Sequence, residues 1–249
     1  MLEGKAAIVT GAGQGVGQGI ALALAGHGAR VVAMGRTGSK VEETCRQVEE
    51  RGGVCIPFAG DVKKQEDLAA CVARCVEAFG GVQILVNNAQ EVPLGPVLGV
   101  TEEALGAGWE SGPLATFRMM KLCHPHLKGD GCIVNLASTA ARRWDAANYG
   151  AYAAVKEAIR AFSRAAASEW GGDGIRTNVI LPHAKSPALA AWTEANPEEA
   201  AAFVATIPMG RIGECEADIG EFVAFLCSGA AAYVNGQSIA VDGGQAYMP

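Results

Sequence analysis

Short apolar runs that alternate with longer amphipathic ones predict an α/β fold: a doubly wound, seven-stranded, mostly parallel sheet with helices on both faces, in a single domain. Two further observations support it. The short runs are continuously apolar instead of alternating, as in strands covered on both sides. A glycine-rich turn, Thr10-Gly-Ala-Gly-Gln-Gly-Val-Gly17, links the first apolar run to the first amphipathic one.

The elements follow in order along the chain. Strands are expected at 6–10, 30–34, 54–58, 84–87, 132–137, 176–180 and 238–241. Helices are expected at 17–26, 40–51, 65–79, 102–127 and 149–170, with two more between Pro187 and Ser228. No proline-rich linker, low-complexity tract or short repeat divides the 249 residues, so residues 1–249 are expected to form one domain. The longest stretch between strands holds Ala-rich, Pro-punctuated sequence at 187–208, which is expected to form a helical lid.

Composition narrows the function classes. Half the residues are hydrophobic and 18% are charged, which excludes disorder. The net charge is −6 without a basic block, which argues against nucleic acid or an anionic membrane as partner. No apolar stretch is long enough for a membrane span, and no signal-peptide pattern opens the chain. The eight cysteines are scattered without a CxxC pair, so eight reduced thiols in a cytoplasmic protein are expected. His124 and His126 lack partners at ligand spacing, so no metal site is expected.

Tyr152-Ala-Ala-Val-Lys156 places a phenol and an amine one turn apart on one helix face. An ammonium beside a phenol favours the phenolate, which prepares the tyrosine for proton transfer near neutral pH. Alone, such a pair is more often a half-buried ring beside a solvated amine. Tyr149 lacks the partner, because Ala153 stands four residues on. Ser138 ends the fifth strand, and ligands of open α/β sheets gather at such carboxyl ends. A strand end, a loop and a first helical turn fit the gap to Tyr152, so both side chains can face one substrate oxygen.

In the glycine-rich turn, glycines permit a tight bend and close approach of backbone to a pyrophosphate, and the helix behind supplies free N–H groups. The spacing Gly11-x-x-x-Gly15-x-Gly17 is longer at the front than the common dinucleotide fingerprint. Together with Tyr152-x-x-x-Lys156, Asp61-Val62, Asn87-Asn88-Ala89, Ile133-Val-Asn-Leu-Ala-Ser138, Ile175-Arg-Thr-Asn178 and Gly236-Gln-Ser-Ile-Ala-Val-Asp-Gly-Gly244, it resembles the short-chain dehydrogenase/reductase family over essentially the whole chain.

The resemblance implies a Rossmann fold and hydride transfer between a nicotinamide cofactor and a carbonyl or alcohol carbon. Tyr152 would carry the proton, Ser138 would hydrogen-bond the reacting oxygen, and Lys156 would hold the nicotinamide ribose and depress the tyrosine's pKa. Gly11, Gln14, Gly15, Val16 and Gly17 would cradle the pyrophosphate. Asp61 and Val62 would border the adenine, Asn88 and Ala89 would lie beside the adenosine ribose, and Pro182 and His183 would approach the nicotinamide. Gly35 stands at the end of the second strand, where a carboxylate would select NAD; Arg36, Thr37 and Ser39 follow. NADP(H) is therefore favoured and NAD(H) remains possible, with Gln14 weakening the preference because many NADP-using relatives carry a basic residue there. A homotetramer, or a dimer, is also implied.

Three positions depart from the family pattern. Gly112 stands where an asparagine in the long fourth helix usually helps hold a water that links the lysine to solvent. Pro113 follows, so the helix is expected to kink or break and to offer freed carbonyls to that water; Ser111 substitutes if the alignment slips by one. Gln90 replaces the glycine after Asn-Asn-Ala, and His183 replaces the glycine after Pro182. These departures support an alternative, a catalytically weakened nucleotide-binding sensor or partner subunit. Leu189, Trp192, Phe203 and Met209 of the lid point to an apolar or amphipathic small-molecule substrate, or serve only as lid packing or subunit contacts.

Overall fold

The computed structural model describes residues 1–142 and 148–246, with the side chain of residue 142 outside that description. Seven strands form one sheet in the order β3-β2-β1-β4-β5-β6-β7. They are β1 (Ala6–Thr10), β2 (Arg30–Gly35), β3 (Val54–Ala59), β4 (Ile84–Asn87), β5 (Gly131–Leu136), β6 (Ile175–Pro182) and β7 (Ser238–Val241). Every pairing is parallel. β1, β4 and β5 are buried residue by residue, which is why their sequences are apolar without alternation.

Nine α-helices are described: α1 (Gly15–Gly26), α2 (Gly38–Glu50), α3 (Gln65–Phe79), α4 (Glu102–Trp109), α5 (Ala115–Leu127), α6 (Gly150–Trp170), α7 (Pro187–Ala195), α8 (Pro197–Ala205) and α9 (Glu221–Cys227). Two apolar layers form on the two faces of the sheet. α1, α2 and α9 cover one face through Ile20, Leu24, Val41, Val223 and Leu226. α3 and α5, with Ala166 of α6, cover the other through Leu68, Cys71, Met119 and Leu127. The strand order reverses between β1 and β4, so a crevice opens at the carboxyl ends of these strands.

Three expectations change. The long fourth helix is not broken at Gly112-Pro113. A π-helical turn over Glu110–Leu114 joins α4 to α5. Pro113 has no N–H for the i→i−4 ladder, and the wider turn absorbs the loss without a break. The region from Pro187 to Ser228 holds three α-helices instead of two, because Pro197 starts a new helix directly after α7. Finally, the eight thiols are not all free. Cys45 of α2 and Cys55 of β3 are disulfide-bonded, with Cα atoms 4.9 Å apart. The turn at 51–53 folds β3 back beside α2 and brings them together, a proximity that cysteine spacing alone does not reveal.

Candidate active site

The phosphate loop is shaped by contacts that only glycine allows. Gly15 adopts φ +58°, in the left-handed region. A β-carbon on Gly17 would overlap the carbonyl oxygen of Gly11. α1 starts at Gly15 without a side-chain cap on Gln14, so its first N–H groups keep no side-chain acceptor. Asn88 locks the loop to β1: its Nδ2 donates to the carbonyls of Thr10 (2.9 Å) and Gly11 (3.1 Å). The Thr10 hydroxyl in turn accepts from the backbone N–H of Asn88 (3.0 Å) and Ala89 (3.1 Å). Asn88 is thus first a brace of the loop, although it also borders the cleft.

The cleft above this loop has a volume of about 530 Å³. Gly11, Gln14, Gly15, Val16, Arg36, Thr37, Asp61, Val62, Asn88, Ala89 and Tyr152 all line it. Gly17 and Lys156 are not part of this lining. Ser138 joins the site through its interaction with Tyr152. Pro182 and His183 are not part of the lining; His183 packs edge-on against Phe203 at 5.2 Å between ring centroids. Phe203 also meets Trp192 at 6.0 Å, so the aromatics of α7 and α8 pack against one another. Ser186, Pro187 and Ala188, at the start of α7, also line the cleft.

Two charged residues of the cleft went unnoticed in the sequence. Lys40, in the first turn of α2, donates to Gln14 Oε1 at 2.5 Å. A basic group therefore reaches Gln14 from another element, and its spacing four residues after Arg36 was the available signal. Glu91 takes ion pairs from Arg36 (2.7 Å) and Lys63 (3.0 Å). Nothing in its sequence context marked it. The cradle of glycines, the uncapped helix start and the basic rim of Arg36 and Lys40 fit a phosphate-bearing dinucleotide.

At the other end, Ser138 follows β5 and Tyr152 sits in the first turn of α6, with the Ser138 side chain within interacting reach of the Tyr152 hydroxyl. Lys156 lies one turn further, its Nζ 5.5 Å from the Tyr152 ring centroid. It is buried and donates to the carbonyl of Leu136 at 2.7 Å. Burial raises the Tyr152 pKa to about 12, against the lowering effect of Ser138, while Tyr149 adds to the rise. Burial also pushes Lys156 down to about 7. The expected depression of the tyrosine by the lysine is therefore not what this geometry gives. Both groups are driven toward their neutral forms, because the same apolar surroundings disfavour phenolate and ammonium alike.

Behind the site, a buried chain runs from Asn87 Nδ2 to Asn135 Oδ1 (2.8 Å) and from Asn135 Nδ2 to Ser163 Oγ (2.8 Å). It pins β4 and β5 to α6, so the helix that carries Tyr152 and Lys156 has a fixed height over the sheet.

Comparison with known proteins agrees with this arrangement. A family model described as enoyl-(acyl carrier protein) reductase matches residues 11–246. The chain is 35% identical over 258 residues to 12α-hydroxysteroid dehydrogenase of a Clostridium species, covering 100% of this chain and 99% of the relative. The structure of a 7α-hydroxysteroid dehydrogenase, complexed with NADH and 7-oxo glycochenodeoxycholic acid, superposes with a TM-score of 0.92 at 30% identity, covering 99% of this chain and 96% of the other. A variant of actinorhodin polyketide ketoreductase with NADPH superposes with a TM-score of 0.92 at 29% identity, covering 100% of both chains. With its phosphate loop, its Ser138–Tyr152 pair and these relatives, the chain belongs to the short-chain dehydrogenase/reductase family, oxidoreductases that act on hydroxyl and keto groups with a nicotinamide cofactor.

Proposed function

We propose that the protein is an NADP(H)-dependent carbonyl reductase or alcohol dehydrogenase in which Tyr152 is the proton donor and acceptor. The observation that carries this is the juxtaposition of Ser138, Tyr152 and the buried Lys156 at the inner end of the cleft, with Ser138 near enough to lower the Tyr152 pKa. A substrate oxygen placed between these hydroxyls accepts from both. Tyr152 keeps its proton over the whole neutral range, as its pKa of about 12 requires, so it is loaded as an acid for carbonyl reduction. Ser138 stabilises negative charge that develops on the oxygen. Lys156, buried one turn below, holds its amine toward the tyrosine and takes part in resupplying the proton. The bound nicotinamide supplies or accepts the hydride.

The preference for NADP(H) rests on Arg36, Thr37 and Lys40 at the outer end and on the absence of a carboxylate at Gly35. A β-carbon on Gly35 would lie 2.9 Å from Val41 Cγ1, which disfavours any side chain there. A 2′-phosphate would draw Arg36 away from Glu91. Apolar or amphipathic secondary alcohols and ketones are the substrate class that this reading favours, with residues 187–208 as the lid. The hydroxysteroid dehydrogenases among the relatives fit that class. Leu105, Trp109 and Phe117 leave apolar surface exposed on α4 and α5, which supports a homo-oligomer; light scattering decides between tetramer, dimer and monomer. Among the described residues, no helix is long and apolar enough to cross a membrane, which is consistent with the cytoplasmic placement proposed here.

The test is a panel of ketones and alcohols, bile acids included, run with each cofactor on wild type and Tyr152→Phe. Turnover should fall by about 10³-fold in the variant while NADPH binding is retained. Cofactor binding without turnover of any substrate would favour the sensor instead, and a strong NAD preference would sink the assignment of Arg36.

A further inference from the structure

Gln90 and Gly112 stand far apart in the sequence and meet in space. A β-carbon at position 112 would overlap Gln90 Oε1 and lie 2.9 Å from its Cδ. The side chain of Gln90 thus fills the volume that a side chain at 112 would need.

The orientation of the Gln90 amide is fixed. Nε2 donates to the carbonyls of Glu91 (2.6 Å) and Gly108 (2.9 Å), which uses both of its hydrogens. Oε1 therefore faces the opposite way, toward Gly112 in the π-helical turn. It is buried there without a donor among the described residues. A buried amide oxygen without a partner is costly, and a water is the donor best suited to restore it. Ser111 does not compete for this role. Its hydroxyl donates to the carbonyl of Ala107 (2.7 Å) and accepts from the backbone N–H of Glu91 (2.9 Å).

The π-helical turn packs against α6, the helix of Tyr152 and Lys156. Gln90 and Tyr152 border the same cleft. Lys156 spends one donor on Leu136 and is buried, so its remaining donors have no direct access to bulk water.

We propose that Gln90 is a positioning residue for proton supply: Oε1, seated in the space that Gly112 leaves open, holds a water that returns protons to the Lys156–Tyr152 pair. The proposal rests on Tyr152 acting as the acid. Each reduction removes one proton from Tyr152 to the new hydroxyl. The water gives one proton toward Lys156 and takes one from solvent, so the pair is restored without net change in the wall.

The experiment is an exchange cycle of Gln90→Gly, Gly112→Asn and the double variant, with Gln90→Met as the near-isosteric probe that lacks the oxygen. Gln90→Met should lower kcat about tenfold, raise the solvent deuterium isotope effect on kcat, and leave the KM for cofactor within about twofold. Each exchange single should lose about as much, and the double variant should recover to within about threefold of wild type. The pH dependence of Lys156 acylation, measured without substrate, should shift in Gln90→Met. An unmoved Lys156 titration, an unchanged isotope effect, or a double variant as slow as the product of its singles overturns the proposal. If a single variant does not fold, the double variant still decides: folded and slower than a tenth of wild type, it counts against Gln90. Failure of the wild type to turn over any substrate would instead sink the assigned activity, while the Lys156 titration would continue to judge Gln90.

Discussion

The two ends of the cleft are built on opposite principles. At the inner end, burial governs: Lys156 is enclosed, and apolar surroundings hold it and Tyr152 toward their neutral forms. At the outer end, charge governs: Arg36 is 61% exposed and paired with Glu91, which also takes Lys63. Burial makes a few groups matter strongly and independently of salt. Exposed pairs contribute little each and fade as ionic strength rises. Chemistry is therefore expected to depend on the inner end, and choice of cofactor on the outer.

The loop between the ends gives the largest expected effect. Gly17→Ala drives a methyl into the Gly11 carbonyl and the Asn88 amide. Both are fixed, so the loop must shift, and NADPH binding should weaken by more than about 100-fold by fluorescence titration, alongside a stability loss of about 1–3 kcal/mol. A variant that binds normally would show that the loop is softer than its packing implies.

Lys156→Met sharpens the burial side. The folded pKa of about 7 lies below the unfolded value of 10.5. Between these values the unfolded chain holds a proton that the folded chain lacks, so wild type gains stability from this group as pH rises from 7 toward 10.5. The variant, inactive in turnover, should be more resistant to urea than wild type at pH 7. Its advantage should shrink by about 1 kcal/mol per pH unit toward pH 10. Parallel curves for the two proteins would show that Lys156 is not the titrating group.

The charged side gives smaller effects. Arg36→Ala should weaken NADPH binding about tenfold at low salt and leave NADH binding nearly unchanged. Equal losses for both cofactors would remove Arg36 from phosphate recognition. Glu91→Gln, which frees Arg36, should tighten NADPH binding about two- to fivefold, and the gain should vanish at about 0.5 M salt. Weaker binding in this variant would mean that Glu91 orders the rim instead of competing with the phosphate.

The same contrast explains what the sequence discloses. Strands β1, β4 and β7 match their expected bounds, because continuous apolar runs between glycines admit few alternatives. Gly11, Gly15, Gly17, Ser138, Tyr152 and Lys156 are visible because each stands at fixed spacing on one element or one turn. The groups that escape notice act between elements. Lys40 reaches Gln14 across a helix–loop gap, Glu91 gathers cations from two other segments, and Cys45 meets Cys55 only after α2 and β3 pack. Gln90 and Gly112 show this most plainly, since each looks like a separate lapse until the volume they share is known. His183 shows the same limit: its position beside the expected nicotinamide site is legible in the sequence, but the contact of its ring with Phe203 is not.

Asn88 and the start of α7 have a consequence for traffic through the cleft. Asn88 ties the end of β4 to the Thr10–Gly11 backbone, so one wall behaves as a fixed jamb. Facing it, Pro187 Cδ and Ser186 Cβ would stand 3.4 and 3.5 Å from a β-carbon on Gly15. That segment hangs over the phosphate loop like a door leaf. A substitution at Ser186 or Pro187 is therefore expected to change the rate of cofactor release more than one in the braced end of β4.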